Sequence, residues 1–201
     1  MKKEPEQTLS DIRQLMERST RFRSINGFSF VAAGICGLLG MAWIHILIMQ
    51  TKTMRPYPQL NSQNLVNHIV IASVCTLLAA IICGFFFTWF KMRKRNLSLW
   101  EAVVRKVTIN FIIPLITGGI LIIGMIFYYE YQFISTSCLL FYGLSLVNAS
   151  HYTLKEIRYL GICEILIGII CLLTGYDLFS LIIGFGVLNI LSGLTIWYKY
   201  R

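Results

Sequence analysis

The stretch KEIRYLGICEILIGIICLLTGYD, Lys155 to Asp177, decides the fold. Two basic residues, Lys155 and Arg158, stand at its head, and from Tyr159 to Gly175 Glu164 alone is charged. The hydrocarbon core of a bilayer is about 30 Å thick and takes roughly 20 apolar helical residues to cross. This run therefore reads as a membrane span. A short turn, Gly175 to Asp177, leads into a second such run over 178–198. Working back toward the N-terminus, similar runs lie near 25–49, 65–90, 107–128 and 133–150. Six spans on 201 residues make an all-α integral membrane protein, a six-transmembrane-helix bundle.

Composition agrees, with 56% hydrophobic and 13% charged residues, so little chain is left to build anything outside a bilayer. The longest polar segment, residues 1–24, is too short to form a core of its own. The organisation is therefore an amphipathic N-terminal segment, 1–24, followed by a transmembrane domain, 25–201. A soluble catalytic domain is excluded.

The net charge of +9 resembles a nucleic-acid signal until its distribution is read. Lys2, Lys3, Arg13, Arg18, Arg21 and Arg23 precede the first span. Lys91, Arg93, Lys94, Arg95, Arg105 and Lys106 lie between spans two and three, Lys155 and Arg158 between four and five, and Lys199 and Arg201 at the end. These are 16 of the 18 basic residues, and only Lys52 and Arg55 fall on the other side. Such asymmetry places both termini in the cytoplasm by the positive-inside rule and requires no nucleic acid.

Leu9, Ile12, Leu15, Met16 and Phe22 share one side of a helix over 9–22, which reads as an interfacial helix under the inner leaflet. Ser98 and Glu101 form a capping box, and 98–106 reads as a second interfacial helix. Short turns between successive spans predict antiparallel hairpins, hence three adjacent pairs, one–two, three–four and five–six. Glycines recur seven residues apart in spans one (Gly27, Gly34), five (Gly161, Gly168) and six (Gly186, Gly193). That interval keeps each pair on one face and predicts close helix packing.

Glu164 is the one acid within a span, and it costs about 2–3 kcal/mol or more unless protonated, paired or wetted. Gly161 and Gly168 flank it at i−3 and i+4, so it faces the bundle. Asn189 holds the equivalent position between Gly186 and Gly193, at a deeper level. Asn110, Asn148, His151, Arg158 and Ser192 fall in the same inner-leaflet layer. Pro114 deprives the Asn110 carbonyl of its helical partner, which at membrane depth must be satisfied by protein or water. These groups compose a candidate ligand or coupling pocket open to the cytoplasm. The plainer reading is that Arg23, Arg105 or Arg158 holds Glu164 and locks helices together.

His45 and His68 lie near the outer ends of spans one and two and could share haem or a metal, although two ligands without a supporting carboxylate make a thin set. The six cysteines form neither CxxC nor Cys/His spacing, so they read as small buried hydrophobes, with no metal site and no disulfide framework. No P-loop, dinucleotide fingerprint, HExxH or nucleophile elbow is present. No catalytic residue and no cofactor follow.

Ile12 to Phe22 running into Gly27, Leu99-Trp-Glu-Ala ahead of span three, and above all Tyr142 to Glu164 resemble a family of small, uncharacterised six-span bacterial inner-membrane proteins. The resemblance covers nearly the whole chain. It implies a bacterial cytoplasmic membrane and a six-helix fold, and it carries over no catalytic residue.

The expectation is thus a non-enzymatic inner-membrane protein that binds a partner or small ligand through its cytoplasmic face. The alternative is a small-solute or proton-coupled transporter using Glu164, and a haem protein or intramembrane enzyme comes third. Expected associates are the lipid bilayer, a second copy of the chain, or a protein docking on the cytoplasmic face.

Overall fold

The computed structural model describes residues 27–54, 63–94 and 102–199. The interfacial helix expected at 9–22, the capping box at 98–101, residues 55–62 of the outer loop, and Arg23 lie outside them. Within them every regular element is helical, and six helices are long and apolar enough to cross a membrane. They are α1 (Gly27–Met54), α2 (Gln63–Lys94), α3 (Ala102–Phe127), α4 (Ile134–Ala149), α5 (Lys155–Thr174) and α6 (Asp177–Lys199). A single 3₁₀ turn stands at each end of α4, Tyr131–Phe133 and Ser150–Tyr152.

The helices overrun several apolar runs because a helix stops where its backbone is capped, not where hydrophobicity fades. One consequence is that Ala102–Lys106 is the first part of α3 and not part of a separate in-plane helix. At the far end of α3, Tyr129 takes φ 62°, its N–H donates to the Ile126 carbonyl and the Glu130 N–H donates to that of Met125. This is a Schellman cap with tyrosine where glycine is usual. Gly175, at φ 70°, caps α5 through its N–H to the Cys171 carbonyl at 2.8 Å.

Packing follows small residues more than chain order. The tightest association of α1 is not only with α2 but also with α6, and α5 packs most extensively on α4. The pairing of spans one with two and three with four is present, whereas α5 and α6 share a smaller contact than a simple hairpin would give. Glycine explains the rearrangement. A Cβ on Gly193 would sit 2.6 Å from the Gly27 carbonyl, and one on Gly34 would sit 2.9 Å from that of Gly186. The seven-residue pairs of spans one and six thus face each other along an antiparallel crossing. Gly143 and Gly161 do the same for α4 and α5, each Cβ position lying 2.7 Å from the other's carbonyl.

The bundle core therefore comprises α1, α4, α5 and α6. Helix α2 lies against α1, and α3 against α4 and its flanking turns; both bury little of themselves. Leu146, Leu154, Ile157, Leu160 and Ile196 form an apolar cluster near the α4–α5 turn, with Phe30, Phe111, Tyr142 and Leu188 packed around it.

Helix α6 is not uniform. It is α-helical over Asp177–Leu181, π-helical over Ile182–Leu188, and α-helical again over Asn189–Lys199. Seven residues of π-helix are long for a form that mostly occurs as single-turn bulges. Two glycines, Gly184 and Gly186, lie in it, and both are buried.

Candidate functional site

Where α4, α5 and α6 meet, three polar side chains come together in an otherwise apolar setting. Glu164 of α5 is 0% exposed and Asn189 of α6 is 2% exposed. The Tyr142 hydroxyl of α4 donates to Asn189 Oδ1 at 2.8 Å. Asn189 Nδ2 lies 3.5 Å from Glu164 Oε1, 3.4 Å from the Gly184 carbonyl and 3.3 Å from the Phe185 carbonyl. Good N–H···O bonds cluster near 2.9–3.0 Å, so all three are long. Glu164 Oε2 has no hydrogen-bond partner among the described residues.

Each element contributes for a local reason. On α5, Gly161 and Gly168 abut α4, against Gly143 and Val147 and against Leu139 and Leu140 respectively. Glu164, lying between them in sequence, is thereby carried into the junction. On α6, Gly186 and Gly193 face Leu38 and Gly27 of α1 while Asn189 reaches Glu164 and Tyr142. Gly184 lets the carboxylate approach the backbone, since a Cβ there would lie 2.5 Å from Oε2 and 2.5 Å from Leu139 Cδ2. The Tyr142 ring is fixed by Phe185, centroids 5.0 Å apart, and by Phe111, edge-on at 6.4 Å.

The remaining residues of the expected layer do not join this cluster. Asn148 Nδ2 donates to the Asn110 carbonyl at 2.9 Å, which supplies the partner that Pro114 removes. The Asn110 side chain turns back on its own helix, to the Lys106 carbonyl at 2.8 Å. Ser192 likewise donates to the Asn189 carbonyl at 3.0 Å. His151, in the 3₁₀ turn after α4, is exposed, as is Arg158. Arg105 is also exposed, and among the described residues the carboxylate contacts an amide and no guanidinium. Asn189, expected at a deeper level, reaches Glu164 directly.

His45 and His68 are both exposed on α1 and α2. Among the described residues no group of three or more His, Cys, Asp or Glu side chains is placed to hold a metal ion. The cysteines are free thiols; Cys36 and Cys83 pack across α1 and α2 with their sulfurs 3.9 Å apart.

Two members of the cluster were missed by sequence reasoning. Tyr142 sits amid an apolar run and looks like an aromatic core residue, which it also is. Gly184 could be recognised only from the position of Glu164 across the helix boundary. A glycine and a tyrosine carry no chemical signature of their own, so neither could be found without the packing.

Compared with protein-family models, with curated proteins and with solved structures, the chain matches none.

Proposed function

We propose that this is a non-enzymatic, multi-pass protein of the bacterial cytoplasmic membrane, with both termini inside, that binds a small ligand at the junction of α4, α5 and α6. The orientation rests on the 16 basic residues that fall on one side of the six apolar helices. The ligand reading rests on a single observation: a fully buried glutamate with one carboxylate oxygen left without a partner among the described residues. Structural acids inside apolar helices are paired, because an unpaired one is costly. Here the basic side chains Arg105 and Arg158 are turned outward and the available amide covers one oxygen only. The uncovered Glu164 oxygen is, in this reading, the point at which a ligand attaches.

Native mass spectrometry of the protein released from nanodiscs tests this. A discrete adduct that is lost in Glu164→Gln supports the site. An adduct retained in that variant, or a bare mass for both proteins, removes Glu164 from the binding role and leaves docking on the cytoplasmic face as the surviving reading.

A second reading, small-solute or proton-coupled transport, is favoured by the π-helical stretch of α6. Interrupted helices next to an intramembrane carboxylate are the usual construction of coupling sites in transporters. In proteoliposomes, transport that survives Glu164→Gln would eliminate Glu164 as the coupling group.

A further inference from the structure

The surroundings of Asn189 Nδ2 identify the class of ligand. One NH₂ group has two N–H donors, yet three oxygens surround it at 3.3–3.5 Å: Glu164 Oε1 and the carbonyls of Gly184 and Phe185. A fourth, Glu164 Oε2, belongs to the same carboxylate and has no partner among the described residues. The amide nitrogen, with its partial positive charge, thus sits among oxygens it cannot satisfy. Two of these are main-chain carbonyls of the π-helical stretch.

We propose that this oxygen cage is a binding site for a dehydrated alkali-metal cation, and this rests on reading the cluster as a ligand site. The cage carries one formal negative charge, from Glu164, which balances a monovalent ion. A divalent ion would leave a positive charge in an apolar setting, which is costly. An anion is disfavoured because the three oxygens around Asn189 Nδ2 are all acceptors. Hard cations take oxygen ligands, carboxylate and carbonyl among them. A proton needs a single oxygen and gives no reason for two backbone carbonyls to share one amide nitrogen with the carboxylate.

Tyr142 supplies the means of switching. Its hydroxyl donates to Asn189 Oδ1 at 2.8 Å, but a phenol also accepts. Rotating the Asn189 amide by half a turn keeps that bond, now from Nδ2 to the Tyr142 oxygen. Oδ1 then joins both carboxylate oxygens and the Gly184 and Phe185 carbonyls around the ion. In the orientation present, the amide turns its N–H donors toward these oxygens instead.

The test uses the full chain in nanodiscs, melted in NaCl, KCl or choline chloride at one ionic strength. Stabilisation by a bound ion raises the melting temperature with the logarithm of its concentration. The wild type should show that rise with an alkali ion above choline. Glu164→Gln should lose the rise while melting in choline at or above the wild-type temperature, which establishes that it folds. Tyr142→Phe should need a higher ion concentration for the same shift. A rise that persists in Glu164→Gln places the ion elsewhere and overturns the proposal. Identical melting in all three salts also overturns it. In that case labelling of Glu164 by dicyclohexylcarbodiimide, unaffected by Na⁺, would show that the site takes a proton, and the ligand-site reading would stand. An unlabelled Glu164 together with a native-mass adduct retained in Glu164→Gln would remove that reading as well.

Discussion

Gly184→Ala separates the site from the fold. The added methyl would lie 2.5 Å from Glu164 Oε2 and 2.5 Å from Leu139 Cδ2, whereas ordinary contact begins at 3.4 Å. Each neighbour must therefore retreat by roughly 0.9 Å. Both are ends of side chains, so the backbone need not move. Overpacking of this kind costs about 1–3 kcal/mol, offset by about 1 kcal/mol from replacing glycine with alanine inside a helix. The net, roughly 0–2 kcal/mol, corresponds to a fall of at most ~8 °C in melting temperature at ~2–4 °C per kcal/mol for a chain of this size. The effect on the site is larger in kind. A carboxylate displaced by that much loses its 3.5 Å approach to Asn189, the cage opens, and ligand-dependent stabilisation should disappear. Thermal melting in nanodiscs with and without alkali salt reads both effects from one preparation. A variant that melts far below this range and still responds to the salt would refute the assignment of Gly184 to the site.

Gly161→Ala should behave oppositely, since its methyl would meet the Gly143 carbonyl at 2.7 Å and the Val147 backbone nitrogen at 2.9 Å, and backbone cannot yield cheaply. A loss of about 2 kcal/mol is expected, while Gly119→Ala, where nothing lies within 4 Å, should be neutral or slightly stabilising, as paired melting curves would show. Asn148→Leu orphans the Asn110 carbonyl and should cost about 1–3 kcal/mol. Most of that cost should vanish in a Pro114→Ala background, where residue 114 regains an N–H for the same carbonyl, and a double-mutant cycle that is strictly additive would contradict this. Gly175→Ala should destabilise by about 1 kcal/mol through its left-handed φ of 70° alone, because its surroundings are open. Tyr129→Gly, at φ 62°, should raise the melting temperature by a comparable amount.

The six apolar helices were legible because span length and charge distribution are properties of single segments. Helix order in space was not, because loop length reports only which helices follow each other. The pairing of α1 with α6 depends on Gly27 and Gly34 meeting Gly193 and Gly186, a match between segments about 160 residues apart in sequence. The glycine spacing was visible, but its partner was not. The same limit applied to the site. Glu164 and Asn189 stood out as polar residues in apolar runs, and flanking glycines gave their faces. Ser192, Asn110 and Asn148 stood out equally, yet each spends its hydrogen bond on backbone. Polarity at the right depth cannot distinguish a side chain that serves its own helix from one that serves a neighbour.

The π-helical stretch was the least legible feature, and it connects the two levels. Gly186 and Gly193 face α1, where they admit the Leu38 side chain and the Gly27 backbone. Close packing on that face needs small residues, and an asparagine there would keep the helices apart. Asn189 stands one α-helical turn before Gly193, on the flank of that face, and reaches α4 and α5 instead. The π-helical turns between Ile182 and Leu188 hold the Gly184 and Phe185 carbonyls beside the Asn189 amide, where they accept from a side chain. An irregular helix costs stability unless its freed groups are satisfied within the protein. The Gly184 and Phe185 carbonyls take a further contact, at 3.3–3.4 Å, from a nitrogen shared with Glu164. Packing against α1 accounts for Gly186 and Gly193 but not for an irregular stretch beside the buried carboxylate; the proposed cation site accounts for that.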